Sequence, residues 1–198
     1  MKILAFSDLH HARARAADLV AASAGADLVI GAGDYCNMRQ DLQGAMALLD
    51  GIKAPMVLVP GNAESADELR AAAPRATVLH GTGCKINGLR LFGLGCGIPP
   101  TPFGEWSCDL DEGAAEAMLA GCDGADILIC HSPPKGAVDV TSGGMSVGST
   151  AVRAAVERVQ PELMLCGHIH DCWGQESLIG ATRVVNLGPT VNWFEVEG

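Results

Sequence analysis

Five short apolar runs, each stopping at a side chain able to bind a metal, constrain this sequence more than anything else in it. Lys2-Ile3-Leu4-Ala5-Phe6 leads into Ser7-Asp8-Leu9-His10, and Asp27-Leu28-Val29-Ile30-Gly31 into Ala32-Gly33-Asp34. Pro55-Met56-Val57-Leu58-Val59 leads into Pro60-Gly61-Asn62-Ala63-Glu64, and Asp126-Ile127-Leu128-Ile129-Cys130 into His131. Glu162-Leu163-Met164-Leu165-Cys166 leads into Gly167-His168-Ile169-His170. Runs of this length suit buried strands. Helix-favouring stretches separate the early runs, so strand, helix and strand recur as βαβ units with parallel strands. Ligand groups in such sheets gather beyond the carboxyl ends of the strands.

Further elements fill the pattern. The Ala-rich stretch to Ala24 favours a helix, and helices are also predicted over Asp41–Leu49, Asp67–Ala72, Asp111–Gly121 and Thr150–Val159. Asn87-Gly88 between alternating runs predicts a hairpin with a type I′ turn. The tail from Gln175 to Val196 reads as three short strands. The segment Ser132–Ser149 is long enough to be functional in its own right. No internal repeat or linker is visible, so residues 1–198 are expected to form one domain. The fold class is α/β.

A chain of 198 residues that is 48% hydrophobic but only 4% aromatic builds its core from Ala, Val, Leu and Ile. The net charge of −10 argues against non-specific nucleic-acid binding. It is compatible with a small phosphorylated ligand, because bound divalent metals would make a local positive site. Neither a signal peptide nor a membrane span is expected from the apolar pattern. The eight cysteines form no Cys-x-x-Cys pair. Free thiols in an intracellular, cytoplasmic chain are therefore expected, most of them packed as small hydrophobes. The oligomeric state is left open.

If the chain stays extended past Phe6, Asp8 and His10 face the same side, and together they could hold one divalent ion. The ordered set Asp8-x-His10, Gly33-Asp34, Gly61-Asn62, His131 and Gly167-His168-x-His170 resembles the calcineurin-like metallophosphoesterases from Met1 to about Asn186. His131-Ser132-Pro133-Pro134-Lys135-Gly136, with Gly148-Ser149, looks like the small bacterial-type members. The resemblance implies two facing mixed β-sheets flanked by helices, with the site at one edge. It also implies that Asp8, His10 and His170 bind one metal ion and that Asn62, His131 and His168 bind another. Asp34 would bridge the two. Two ions about 3.5–4 Å apart can activate a bridging hydroxide as nucleophile and clamp phosphoryl oxygens. The N and O donors suit Mn²⁺, taken as the expected metal, and also Fe or Zn²⁺.

One position departs from the family pattern. Its Gly-Asn-His motif is here Gly61-Asn62-Ala63, which removes the usual proton donor to the leaving group. Asp34, Asn62 and Glu64 are the candidates for chemistry at the site. Glu64 could supply the missing proton or, more simply, face solvent; His11 is a further candidate acid. Phe103, Trp106 and Trp173 either stack on a nucleobase or cap the core. Asn186 is a candidate support for a metal ligand. The expected function is a two-metal phosphoesterase, with phosphodiesters favoured. A non-catalytic scaffold with the same fold and a hydrolase of non-phosphate esters are the competing readings.

Overall fold

The computed structural model describes residues 1–197. Strands β1 (Lys2–Phe6), β2 (Leu28–Gly31), β3 (Met56–Leu58) and β4 (Thr77–Val78) run parallel, and β11 (Asn192–Glu195) closes their sheet antiparallel to β1. This first sheet has the order β11-β1-β2-β3-β4. The second contains β5 (Thr82–Ile86), β6 (Leu89–Leu94), β7 (Ile127–Cys130), β8 (Leu163–Cys166), β9 (Glu176–Ile179) and β10 (Thr182–Asn186). Its order is β5-β6-β7-β8-β10-β9, with β6, β7, β8 and β10 parallel. Both sheets are therefore mixed, as expected.

Alternation along the strands sorts the core into layers, since successive side chains take opposite faces. Ile3, Ala5, Leu28 and Ile30 of the first sheet meet Leu91, Ile127, Ile129, Leu165 and Val185 of the second in one buried cluster between the sheets. The other face of the first sheet, with Leu4, Phe6, Val29 and Leu58, packs on α1 (Arg13–Ser23), α2 (Leu42–Ala47) and α3 (Ala66–Ala72). The other face of the second packs Leu128, Met164 and Cys166 against α4 (Glu112–Leu119) and α5 (Thr150–Val159). The result is helix, sheet, sheet, helix.

The helix starts have local causes. Ser65 and Glu68 form a capping box at α3, and Asp111 and Ser149 accept from the third residues of α4 and α5. Asn87 and Gly88 both have positive φ, 48° and 96°, as the predicted type I′ turn requires.

Two expectations are corrected. The chain does not stay extended after β1: Asp8, His10 and His11 have φ of 52°, 45° and 58°. Asp8 and His10 converge because each is bent back and anchored, Asp8 N–H to Gly33 O at 2.9 Å and His10 N–H to Asp34 O at 3.1 Å. Second, Cys96 and Cys108 pair as a disulfide, with Cα atoms 5.1 Å apart. The loop between them folds back through Gly97 N–H to Cys108 O (2.8 Å), which no spacing rule reveals. Five of the other six cysteines are buried.

Candidate metal centre

All seven of the expected metal ligands come together at the edge where the two sheets meet. Asp8, His10, Asp34 and Asn62 arrive on loops that follow strands of the first sheet, and His131, His168 and His170 on loops that follow strands of the second. Asp8, His10 and His170 form one group of ligand atoms within 4.8 Å of one another, and Asp8, Asp34 and His131 form another. Asp34 faces both sides. Its Oδ2 lies 3.5 Å from His10 Nε2, and its Oδ1 lies 3.4 Å from His131 Nε2.

Neighbours fix which atom each ligand presents. His10 Nδ1 lies 2.9 Å from Cys36 O, and His131 Nδ1 lies 2.8 Å from Ala32 O. A carbonyl only accepts, so both Nδ1 atoms carry a proton and, in the neutral rings, both Nε2 lone pairs face the centre. Asn62 Nδ2 donates to Ser107 Oγ at 3.1 Å, which turns Oδ1 inward. Asn62 Oδ1 and His131 Nε2 then face each other at 3.2 Å, and His10 Nε2 faces His170 Nε2 at 3.3 Å. Each of these pairs is satisfied either by a proton on one of the two atoms or by a cation between them.

The electrostatics point the same way. Burial works against charge on Asp8, but the His170 and His131 imidazoles and the Ser7 hydroxyl outweigh it and hold the carboxyl well below its usual range. Burial would lower His131, yet Asp34 and Asp8 outweigh it and favour positive charge there. His168 is pushed down to about 3 by burial and by His131, so it is neutral and ready to bind a metal.

The supporting residues are less visible in sequence. Asp8 Oδ2 accepts from Ser7 Oγ (2.5 Å) and from Trp173 Nε1 (3.1 Å), while the Trp173 ring packs on His170 with centroids 4.3 Å apart. Trp173 is thus committed to two ligands, which neither sequence reading of it anticipated. Asn186 Nδ2 donates to Gly167 O and Ile169 O, each at 3.1 Å, and so braces the turn that carries His168. His168 has a φ of 69° there. Small residues let the loops meet: a Cβ at Gly33 would stand 2.6 Å from both Gly61 Cα and His131 Nδ1.

Glu64 differs from both sequence readings. It is fully buried, so it does not face solvent, and it is not part of the cavity wall above the ligands. Its Oε1 accepts from Gly61 N–H (2.6 Å) and Asp34 N–H (2.8 Å), and its Oε2 from Tyr35 N–H (3.2 Å). Backbone donors that would otherwise be orphaned hold this carboxylate in place, and it clamps two ligand loops together. Burial and the Asp34 charge push it up to about 7. His11 also points elsewhere, with Nε2 3.1 Å from Gln40 O. Ala63 is buried, and its N–H donates to Asp34 Oδ1 at 2.8 Å.

Above the ligands lies a cavity of about 370 Å³, with Phe103, Trp106, Thr141, Ile169 and Asp171 around its rim. Phe103 and Trp106 stack on each other, with centroids 5.6 Å apart and planes 10° from parallel.

The profile of the Calcineurin-like phosphoesterase superfamily domain matches residues 1–196. The chain belongs to that superfamily. Metallophosphoesterase domain-containing protein 1 of Homo sapiens is 32% identical over 139 residues, which are 67% of this chain and 41% of that protein. The match thus spans less than half of the human relative. Among solved structures, TT1561 of Thermus thermophilus superposes with a TM-score of 0.75 at 19% identity, over 99% of each chain. A dimetal phosphatase from Danio rerio gives 0.64 at 14% identity, over 96% of this chain and 88% of that one. An archaeal phosphodiesterase gives 0.56 at 13%, over 95% and 84%. Calcineurin-like phosphoesterases work with two metals, and the ligand groups of this chain fit that requirement. Among the described residues no helix is long and apolar enough to cross a membrane.

Proposed function

We propose that this protein is a two-metal phosphoesterase acting on small phosphodiesters. The observation that carries the reading is Asp34, with one carboxylate oxygen toward His10 and the other toward His131. Asp8, His10 and His170 would hold one divalent ion and Asn62, His131 and His168 the other, with Asp34 shared. Two ions so held would polarise the phosphoryl oxygens and supply an acidified water. Mn²⁺ is the favoured metal, with Fe or Zn²⁺ suited to the same N and O donors.

The chain's own residues define the rest. The fixed tautomers of His10 and His131 keep their Nε2 lone pairs aimed inward without reorganisation. Asn62 binds as a neutral ligand, which leaves the centre net positive for an anion. No Lys or Arg lines the cavity, and Asp171 sits at its rim. A singly charged diester suits such walls better than a doubly charged monoester, which would lack extra cations and meet the Asp171 charge. With Ala63 in place of the histidine and Glu64 buried beneath the loops, no side chain is assigned as the proton donor to the leaving group. The buried free thiols favour a reducing compartment such as the cytoplasm, within which Cys96 and Cys108 would be an oxidised pair.

Metal analysis of the purified protein, with turnover on a panel of phosphate mono- and diesters, tests this reading. Two ions per chain and higher kcat/KM for diesters are expected. Higher kcat/KM for simple monoesters overturns the diester preference. Absence of both metal and turnover supports a scaffold that retains the fold without the chemistry.

A further inference from the structure

The cavity over the ligands does not end at them. It continues past His168 and Ile169 into a second hollow of about 520 Å³. The two hollows share Phe103, Thr141, His168 and Ile169 in their walls, so they adjoin. Two loops wall the second hollow, one around Pro99–Phe103 and one around Thr141–Val147. Their contribution is mostly apolar: Pro99, Pro102, Phe103, Met145 and Val147, with Ile169 beneath. Phe103 is 51% exposed and Met145 is 64% exposed, and they stand in one groove from different loops. Apolar residues that two loops bring into one concavity beside a ligand cavity make a candidate binding surface.

The polar side chains of these walls each have a partner inside the protein, with donors to spare only at the exposed Lys135 ammonium and the Thr141 hydroxyl. Thr101 Oγ1 donates to Asp109 Oδ2 (3.0 Å), and Ser146 Oγ donates to Asp139 Oδ2 (2.5 Å). Thr141 Oγ1 accepts from Met145 N–H (3.3 Å), and Lys135 Nζ donates to Ser146 O (2.5 Å). A sugar or nucleobase placed here would give up its bonds to water and find few replacements. A hydrocarbon gives up none. Phe103 and Trp106 already stack on each other, which removes one ring face from each.

We propose that this groove holds an uncharged apolar substituent, an alkyl chain or aryl ring, of a phosphodiester whose phosphate occupies the adjoining cavity. The proposal rests on the phosphoesterase reading and adds the class of substrate to it. A diester has two carbon substituents on phosphorus. The ligand side of the cavity is polar, and the groove is the apolar space continuous with it.

The test uses Mn²⁺-loaded protein and n-alkylphosphonates from methyl to hexyl, followed by calorimetry. Turnover of methyl p-nitrophenyl phosphate is measured separately. Affinity should rise by about fourfold for each methylene buried, until the chain fills the groove. Met145→Ser, at an exposed position that lines only the groove, should flatten this series while methylphosphonate affinity stays unchanged. A flat series in the wild type, with methylphosphonate bound and the diester hydrolysed, overturns the groove and leaves the phosphoesterase reading intact. A rising series without turnover overturns the enzymatic reading and keeps the groove. Failure to bind any phosphonate, with no turnover of the diester, overturns both. Tighter binding of a nucleoside 5′-monophosphate than of hexylphosphonate overturns the apolar assignment.

Discussion

In the floor beneath the cavity, Asp8, Asp34, Asn62 and His131 are at most 4% exposed, whereas Phe103 on its rim and Met145 in the adjoining groove are 51% and 64% exposed. The floor is held by backbone. Carbonyls of Ala32 and Cys36 set two imidazoles, the Glu64 carboxylate gathers three amides, and Asn186 pins the His168 turn. The rim is held mostly by contacts within its own loops, such as the Thr101–Ser107–Asp109 cluster and the Asp139–Ser146 pair. A floor of this kind fixes where ions and phosphorus sit. A rim of this kind can change its side chains without disturbing the floor. On the proposed reading, chemistry and selectivity would fall largely to different parts of the chain.

The largest effect should come from Asp34→Ala, which removes the one carboxylate aimed at both groups. It should cut turnover by roughly a thousandfold or more and lower bound metal at both positions. Metal content and kcat on an aryl diester check this. Near-normal turnover with two ions bound would show that the floor does not share its ions through Asp34.

Leaving-group dependence separates floor from rim next. General-acid help is worth roughly 10²–10⁴ in rate when the leaving group needs a proton. Since Ala63 brings no proton and Glu64 is sealed below the loops, aryl diesters should exceed alkyl diesters in kcat by about that range. Comparing p-nitrophenyl with simple dialkyl phosphates measures it. Equal rates would reveal a donor on the rim, to be located by the substitution that selectively lowers alkyl turnover.

Trp173→Phe keeps an aromatic ring beside His170 but removes the N–H that reaches Asp8 Oδ2. Loss of such an orienting partner costs about 10–100-fold in metal affinity. The loss should fall on the ion held by Asp8, His10 and His170, and competition with a chelator would show it. An equal loss at both ions would mean that Trp173 supports the fold of the floor rather than one ligand.

The residues that gather in the floor were legible as strand ends, because each follows a buried strand and strand order in a βαβ sheet brings such ends together. The helices and the Asn87-Gly88 turn were legible from propensity and caps. What stayed hidden depends on backbone conformation and distant partners. Positive φ at Asp8, His10, Asp34 and His168 is costly for these residue types, and no local pattern announces it. Glu64 looks like a catalytic acid in a motif; only the packing of Gly61, Asp34 and Tyr35 around it reveals a clamp. Trp173 lies 165 positions from Asp8 in the chain, and Cys96 pairs through a loop with no strand signal.

The smallest expected effect tests a place where rim and floor touch. Ser107 belongs to the rim loop, yet its Oγ accepts from Asn62 Nδ2 at 3.1 Å and passes its own proton to Asp109 Oδ1 at 2.8 Å. The backbone reinforces the link, since Cys108 N–H donates to Asn62 O at 2.8 Å. Ser107→Ala removes only the side-chain bond and leaves that backbone bond. Asn62 would then lose part of what keeps Oδ1 turned toward His131, and a net hydrogen bond of about 0.5–1.5 kcal/mol corresponds to roughly a two- to tenfold loss in affinity. That loss should fall on the ion bound through Asn62, His131 and His168, opposite to the effect of Trp173→Phe. Ser107→Thr, which keeps the hydroxyl, should restore it. Metal titration monitored at each position reads both variants. If Ser107→Ala instead changes only KM for substrates and leaves both ions as they were, the rim stops short of the floor and Asn62 is oriented by its ion alone.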